Sequence, residues 1–316
     1  MGLHTAQFHS VIGGFGGNTR SAASTGNTLE IEVKARQSGG VPYFKYLGPE
    51  RVDVLERGKI RFTPANDFND PFECLSDSRL IEHKGWQRQC EDHCVRAMLA
   101  DPEVRRSYRH LNSAALEQEV RRIHQARYGQ RLPELKKLAR TQLAAARDPL
   151  RVLCLSIVAP DSPDAFLMWG HYTSSHRGFV IEFDDQHPWF LGHLPVLGEA
   201  HDAGPVEYQH RRPGWDIDDD GNASPRRSFV FSKSPHWSYE REYRLLRFAG
   251  TSGLGSDNPL ALVALPLDSI RSITLGVNCS KETENRVVVA CRHPALRSAR
   301  LRHAEIHPDD YLLTVA

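Results

Sequence analysis

The chain has 316 residues, 40 Lys/Arg against 39 Asp/Glu, 40% hydrophobic and 25% charged residues, which is ordinary globular composition with enough apolar side chains to bury a core without staples. A net charge of +1 gives no global attraction to nucleic acid or anionic membranes. The start of the chain lacks an apolar stretch of signal-peptide length, the run Leu260–Leu267 is far too short to span a bilayer, and six scattered cysteines imply no disulfide framework, so a cytoplasmic protein is expected, with delivery as a secreted effector compatible with it.

Residues 1–40 carry eight of the 23 glycines and eight Ser/Thr and read as a flexible tail that buries too little to offset its ordering entropy. Leu29–Lys34 alternates and could add an edge strand. The body, 41–316, is expected to be a single α+β domain. It starts with an aromatic strand at Tyr43–Tyr46, a short helix over Arg51–Arg57 stopped by Gly58, a strand at Lys59–Phe62, and a turn-rich stretch from Asp67 to Glu73.

Residues 82–148 read as a helical insertion, with 14 Lys/Arg against nine Asp/Glu spread around the helices as a solvated face. Within it, Cys90 and Cys94 flank His93, but the spacing matches no common zinc pattern, and no metal is expected. After Pro149 the chain turns β-rich. Strands are expected at Arg151–Val158, Gly178–Phe183, Pro205–Tyr208, Glu242–Phe248, Ala261–Pro266, Ile270–Val277 and Arg300–Ile306, with helices at Ala165–Tyr172 and Lys281–Arg292 and an acidic loop at Asp216–Asp220.

The strongest candidate for chemistry is Trp237–Arg244. If the chain is extended from Glu240, then Glu240, Glu242 and Arg244 share one face. One carboxylate could fix a sugar hydroxyl and stabilise a developing cation while the other orients a nucleophile, with Arg244 holding a phosphate or depressing the carboxylate pKa values. A second candidate is Trp169, His171 and Tyr172 beside Gly170 and Gly178, suited to stacking on a ring and bonding a ribose. A third joins Tyr43, Lys45 and Tyr46 with Asn69 and Asp70. No Gly-x-Ser-x-Gly elbow and no P-loop is present, and Gly13–Gly17 lies in the tail without strand or helix around it.

Taken together, Tyr43-Phe-Lys-Tyr46, Ile60-Arg-Phe-Thr-Pro64, Phe68-Asn-Asp-Pro-Phe-Glu73, Met168-Trp-Gly-His-Tyr172, His176-Arg-Gly178, Val206-Glu-Tyr208, the stretch Lys233–Arg244 and Ile273-Thr-Leu-Gly276 resemble a bacterial family catalogued as domain of unknown function 2971, over roughly residues 41–280. Its layout is similar to that of ADP-ribosyltransferases. That resemblance implies two small, mostly antiparallel sheets forming a cleft, with NAD as substrate and no membrane. It implies that Tyr43–Tyr46 and Val54–Gly58 are the early strand and short helix, and that Glu242 is catalytic with Glu240 engaging the acceptor. Tyr43, Lys45, Tyr46, Asn69, Trp169, His171, Tyr172 and Arg244 are then the NAD contacts. The acceptor, protein or nucleic acid, and the oligomeric state are left open; toxin, effector and phage-defence roles fit such an enzyme. Two other expectations stand beside it: a non-catalytic nucleotide or nucleic-acid binding module in which Trp169 and Tyr172 stack on a base, and a nuclease using Glu240, Glu242 and Asp70 around Mg²⁺.

Overall fold

The computed structural model describes residues 40–77, 79, 84–190, 202–217, 223–250, 254, 255, 258 and 260–316; the expected tail and the strand at 29–34 lie outside them. The chain forms an α+β structure. In chain order its strands are β1 (Tyr43–Leu47), β2 (Lys59–Arg61), β3 (Thr63–Pro64), β4 (Leu150–Ser156), β5 (Phe179–Phe183), β6 (Asp202–Pro205), β7 (Glu207–Tyr208), β8 (Trp215–Ile217), β9 (Ala223–Pro225), β10 (Ser232–Lys233), β11 (Glu242–Phe248), β12 (Leu262–Ala264), β13 (Ile270–Leu275), β14 (Arg300–Ile306) and β15 (Leu313–Val315). Its α-helices are α1 (Asp53–Arg57), α2 (Lys84–Ala100), α3 (Pro102–Ser107), α4 (Ser113–Ala145), α5 (Ala165–Tyr172) and α6 (Lys281–Ala290).

Two compact units divide the chain. One comprises residues 74–146 and 211–229, and the other comprises residues 40–73, 147–210 and 230–316. The first holds α2, α3, α4 and the β8–β9 ribbon. Val95 of α2 and Leu116 and Val120 of α4 pack into a small apolar cluster, and Arg121 ties the two helices through Asp92 at 2.6 Å. Residues 216–217, expected to open an acidic loop, are strand β8; Asp218–Gly221 lie outside the described residues, as do the side chains of Cys90, His93 and Cys94. No helix among the described residues is long and apolar enough to cross a membrane.

The second unit is built on a mixed nine-stranded sheet in the order β15-β14-β13-β5-β1-β4-β11-β6, with β3 on β4. All its pairings are antiparallel except β13–β14. The expectation of two small sheets is corrected here. Because β1 pairs with both β5 and β4, the strands before and after it join one wide sheet, beside two-stranded ribbons β10–β7 and β12–β2. The segment Pro205–Tyr208, expected as one strand, is split between β6 and β7, which belong to different sheets.

Strand alternation sorts the two faces. Tyr43 and Leu47 of β1, Ile181 and Phe183 of β5, Leu153 and Leu155 of β4, Tyr243 and Leu245 of β11 and Ile273 of β13 point into the larger core, under α1 and α6, which contribute Val54, Leu55 and Val287. The other face carries Phe44, Tyr46 and Val180, covered by Ala165, Met168 and Trp169 of α5. The registers set a lateral row on this second face: Glu242 on β11 lies opposite Ser156, Ser156 opposite Phe44, Phe44 opposite Glu182, Glu182 opposite Ser272 and Ser272 opposite Arg300. The face is thus polar at both ends and apolar under α5.

Several family-like motif pieces have packing reasons. Gly58 ends α1 with φ at 58°, a left-handed C-cap that glycine adopts without cost. Between α5 and β5 the residues Ser174, Ser175 and His176 all have positive φ, at 54°, 61° and 64°. The run is held by Gly178 N–H on the Thr173 carbonyl at 2.8 Å and Asn278 N–H on the His176 carbonyl at 3.0 Å.

Candidate functional site

Glu240 and Glu242 reach the same place by different routes. The sequence expectation put both on one strand, but residues 235–240 form a 3-10 helix and Arg241 turns into the left-handed region at φ 42°. β11 therefore begins at Glu242. The bend is pinned from β4: the Ser156 hydroxyl donates to the Glu240 carbonyl at 2.5 Å and Ile157 N–H to the Arg241 carbonyl at 3.1 Å. Alternation along β11 sends Tyr243 and Leu245 to the large core and leaves Glu242 and Arg244 on the other face.

There the two carboxylates share Lys233. Its Nζ lies 2.6 Å from Glu240 Oε2, 3.3 Å from Glu242 Oε2 and 3.1 Å from Glu73 Oε1. Arg244 binds Glu242 with both Nε at 2.7 Å and Nη2 at 2.9 Å, and also donates to Glu73 and to the Val230 carbonyl. Glu240 accepts from the Tyr172 hydroxyl, and Glu242 N–H donates to the Tyr208 hydroxyl at 2.8 Å. The three carboxylates and two cations are buried, Arg244 completely. Removing such charges from water costs several kcal/mol per ion unless each is paired, and here each is.

The electrostatics follow from that enclosure. Burial alone would raise Glu242, but the Arg244 and Lys233 charges outweigh it and hold the carboxyl down at about 2. Glu73 goes the other way, because desolvation exceeds the pull of the same two cations. Desolvation works against a charged Lys233, yet the Glu242, Glu73 and Glu240 carboxylates lift it well above the ordinary lysine value. Burial, and then the Glu240 charge, pushes the Tyr172 hydroxyl upward, so it serves as a donor. Two carboxyls on shared cations with opposite shifts are the kind of division of labour that acid–base sites use.

An aromatic rim flanks this cluster. The Trp237 ring lies 4.7 Å from Lys233 Nζ, Tyr239 stands 6.2 Å from Trp237, and the Tyr239 hydroxyl meets exposed His171 Nδ1 at 2.9 Å. Trp237, Tyr239 and Tyr172 are half-buried, which leaves ring area for a planar ligand.

The structure thus brings together Glu240, Glu242, Arg244, Tyr172 and His171 of the residues singled out from sequence. It gives the others different roles. Trp169 is fully buried, its indole N–H on the Pro160 carbonyl at 2.9 Å, so it packs the core rather than facing a ligand. Tyr46 donates to the Val158 carbonyl at 2.9 Å beneath it, and Tyr43 stacks on Tyr243 in the opposite core at 4.5 Å. Lys45 makes no ion pair in the cluster and donates to the Cys154 carbonyl at 2.7 Å, but it lies near enough for the Glu242 and Glu240 charges to act on it; burial, the larger influence, lowers its pKa. Asn69 is exposed. Asp70 accepts the Phe72 N–H at 2.8 Å, the turn-capping role of an Asx residue. That bond separates Asp70 from Glu240 and Glu242, whose carboxylates are taken up by Lys233 and Arg244; among the described residues no group of three His, Cys, Asp or Glu side chains is placed to hold a metal ion.

Glu73 and Lys233 are the functional candidates that sequence reasoning passed over. Each sat inside a quoted motif, and the available signal was a charged residue next to buried apolar ones: Phe231-Ser-Lys233 for one, Pro71-Phe-Glu73 for the other.

The chain is therefore an α+β protein with a buried carboxylate–cation cluster at the margin of a mixed sheet. Residues 168–245, from α5 through most of β11, match the model of a family described as protein of unknown function (DUF2971), the family the sequence motifs resemble. No curated protein and no solved structure matches the chain.

Proposed function

We propose that the protein is an ADP-ribosyltransferase-like enzyme that uses NAD as substrate, with the cluster as its reaction centre and the flank of the sheet beside α5 as its cleft. The observation that carries this reading is the sharing of Lys233 Nζ by Glu240 and Glu242, at 2.6 and 3.3 Å, next to the rim of Tyr172, Trp237 and Tyr239. A planar nicotinamide or adenine fits the rim. As the bond from nicotinamide nitrogen to ribose C1′ breaks, its electron pair leaves with nicotinamide and C1′ becomes cationic. Glu242, held ionised by Arg244 and Lys233, supplies fixed negative charge to that state. A nucleophile on protein, nucleic acid or a small molecule then bonds to C1′ and passes its proton to Glu240, which Tyr172 orients. Toxin, effector or phage-defence activity inside a cell fits such chemistry.

The test is nicotinamide release from NAD with candidate acceptors. Wild-type protein is expected to release it, and Glu242→Gln to fall at least about 100-fold, the size of a lost charge-stabilising group. Glu240→Gln should lose transfer to the acceptor more than nicotinamide release. Equal rates for wild type and Glu242→Gln remove Glu242 from the mechanism.

One observation favours a second reading, a non-catalytic nucleotide-binding module: both Oε atoms of Glu242 are already occupied by protein cations. Calorimetry separates the two, since nucleotide binding with no nicotinamide released supports the module.

A further inference from the structure

The carboxylate–cation cluster is closed. Glu240 and Glu242 are 4% and 5% exposed, and the Trp237 ring stands over the Lys233 ammonium that they share. The segment carrying this cover, Pro235–Glu240, is tied firmly at its two ends. Before it, β10 pairs with β7, and the Lys233 carbonyl accepts the Gln209 N–H at 3.0 Å. After it, the Glu240 carbonyl is held by the Ser156 hydroxyl at 2.5 Å and the Arg241 carbonyl by the Ile157 N–H at 3.1 Å. Between these ties, no main-chain hydrogen bond joins residues 235–239 to another strand or helix among the described residues; the Trp237 N–H stays local, on the Ser234 carbonyl at 3.0 Å. Side chains hold the middle. Tyr239 packs beside Tyr172 and bonds exposed His171 at 2.9 Å. At the far end Arg241 pairs with Asp164 at 2.8 Å, their side chains 58% and 47% exposed. Both ends suit a hinge. Ser234 is extended with no capping bond from its side chain, and Arg241 is left-handed at φ 42°, a conformation unfavourable for a residue with a Cβ.

We infer that residues 235–239 are a lid that swings about Ser234 and Arg241 to admit a ligand to the cluster, while Glu240 stays on Lys233 and Tyr172. Element-terminal residues that absorb a φ/ψ change are the usual hinges of such motions. Opening breaks the Tyr239–His171 bond, the Arg241–Asp164 pair and the contact of the Trp237 ring with Lys233. The first two involve exposed side chains, so water replaces much of what is lost. No ladder hydrogen bond of β10 or β11 has to break, which lets the segment open locally while the sheet stays folded. Closure over a planar ligand would then set the Trp237 and Tyr239 rings against it. The lid governs access to the cluster and does not depend on NAD being the molecule that enters.

Hydrogen–deuterium exchange read by mass spectrometry, on the ligand-free protein at several urea concentrations below the unfolding transition, tests it. The amides of 236–240 are expected to be protected, to exchange faster than those of β4 and β11, and to do so through openings that urea hardly promotes, because a local opening exposes little surface. Tyr239→Phe, which removes the bond to His171, should speed exchange at 236–240 by about 5- to 10-fold, the factor for one lost hydrogen bond. Asp164→Asn should speed it by about 2- to 5-fold, as for an exposed ion pair. Neither change should alter β4 or β11. The inference is overturned if 236–240 exchange with the urea dependence of β11, so that the segment opens only with the sheet, or if they show no protection. It is also overturned if neither variant speeds 236–240, or if both speed β4 and β11 equally. No NAD is present in this experiment, so failure of the NAD reading leaves its outcome unaffected.

Discussion

Replacing Lys233 with methionine is expected to destabilise the protein by about 3–5 kcal/mol at neutral pH, the cost of leaving buried charges without their partner. Lys233 touches all three carboxylates of the cluster, and without it Glu73 and Glu242 share the Arg244 guanidinium while Glu240 keeps no ion pair among the described residues. Chemical denaturation of the variant against wild type measures the loss; Lys281→Met, which breaks an exposed pair with Glu284, should stay within about 0.5 kcal/mol.

The pH dependence of that loss has a definite sign. In wild type the depressed Glu242 contributes stability above the unfolded carboxylate value that is lost only as pH falls towards about 2. Removing Lys233 pushes carboxyl pKa values in the folded state upward, so the folded variant binds protons that the unfolded chain does not. The deficit should therefore shrink as pH falls from neutrality towards the unfolded glutamate value, about 4.3. A deficit that stays constant or widens over that range would show that Lys233 does not neutralise the cluster.

Gly178→Ala should be nearly as damaging, at about 3 kcal/mol, near the upper end for overpacking. A Cβ there would lie 1.9 Å from the Leu47 carbonyl oxygen and 2.9 Å from Gly48 Cα, and both are main-chain atoms that cannot rotate away. The clash would part β5 from β1 and disturb the left-handed run that connects α5 to the sheet. Gly170→Ala gives the contrast: it sits in α5 with nothing near its added methyl, so it should stabilise by about 0.5–1 kcal/mol. Urea midpoints for both variants decide the matter, and a Gly178→Ala midpoint equal to wild type would show that the approach of β5 to β1 is looser than the structure has it.

These two residues also show what the sequence could and could not reveal. The strands of the main sheet were readable because alternation and β-branched runs mark them locally: β11, β14 and α5 fall where the pattern puts them. The joining of the strands into one sheet was not readable, because it depends on β1 pairing on both sides, a non-local choice that leaves no mark on Tyr43–Leu47 itself. The Glu-x-Glu stretch pointed to the right neighbourhood for the wrong reason. Extended alternation would have aligned Glu240 with Glu242, whereas the left-handed Arg241 breaks the strand and Lys233 reunites them. Trp169 looked like a ligand platform because aromatic residues near glycine serve both cores and sites; its indole bond to Pro160 settles it into the core. Glu73, 171 residues from Arg244 in sequence, could be found only once the chain had folded.

The most direct measurement of the central claim is a crystal structure of the protein soaked with NAD. The account predicts the nicotinamide ribose against Glu240 and Glu242, with a ring of the ligand on Trp237 and Tyr239 and the Tyr172–Glu240 bond retained or transferred to the ribose. NAD bound away from these residues, with the cluster closed and unchanged, would contradict it.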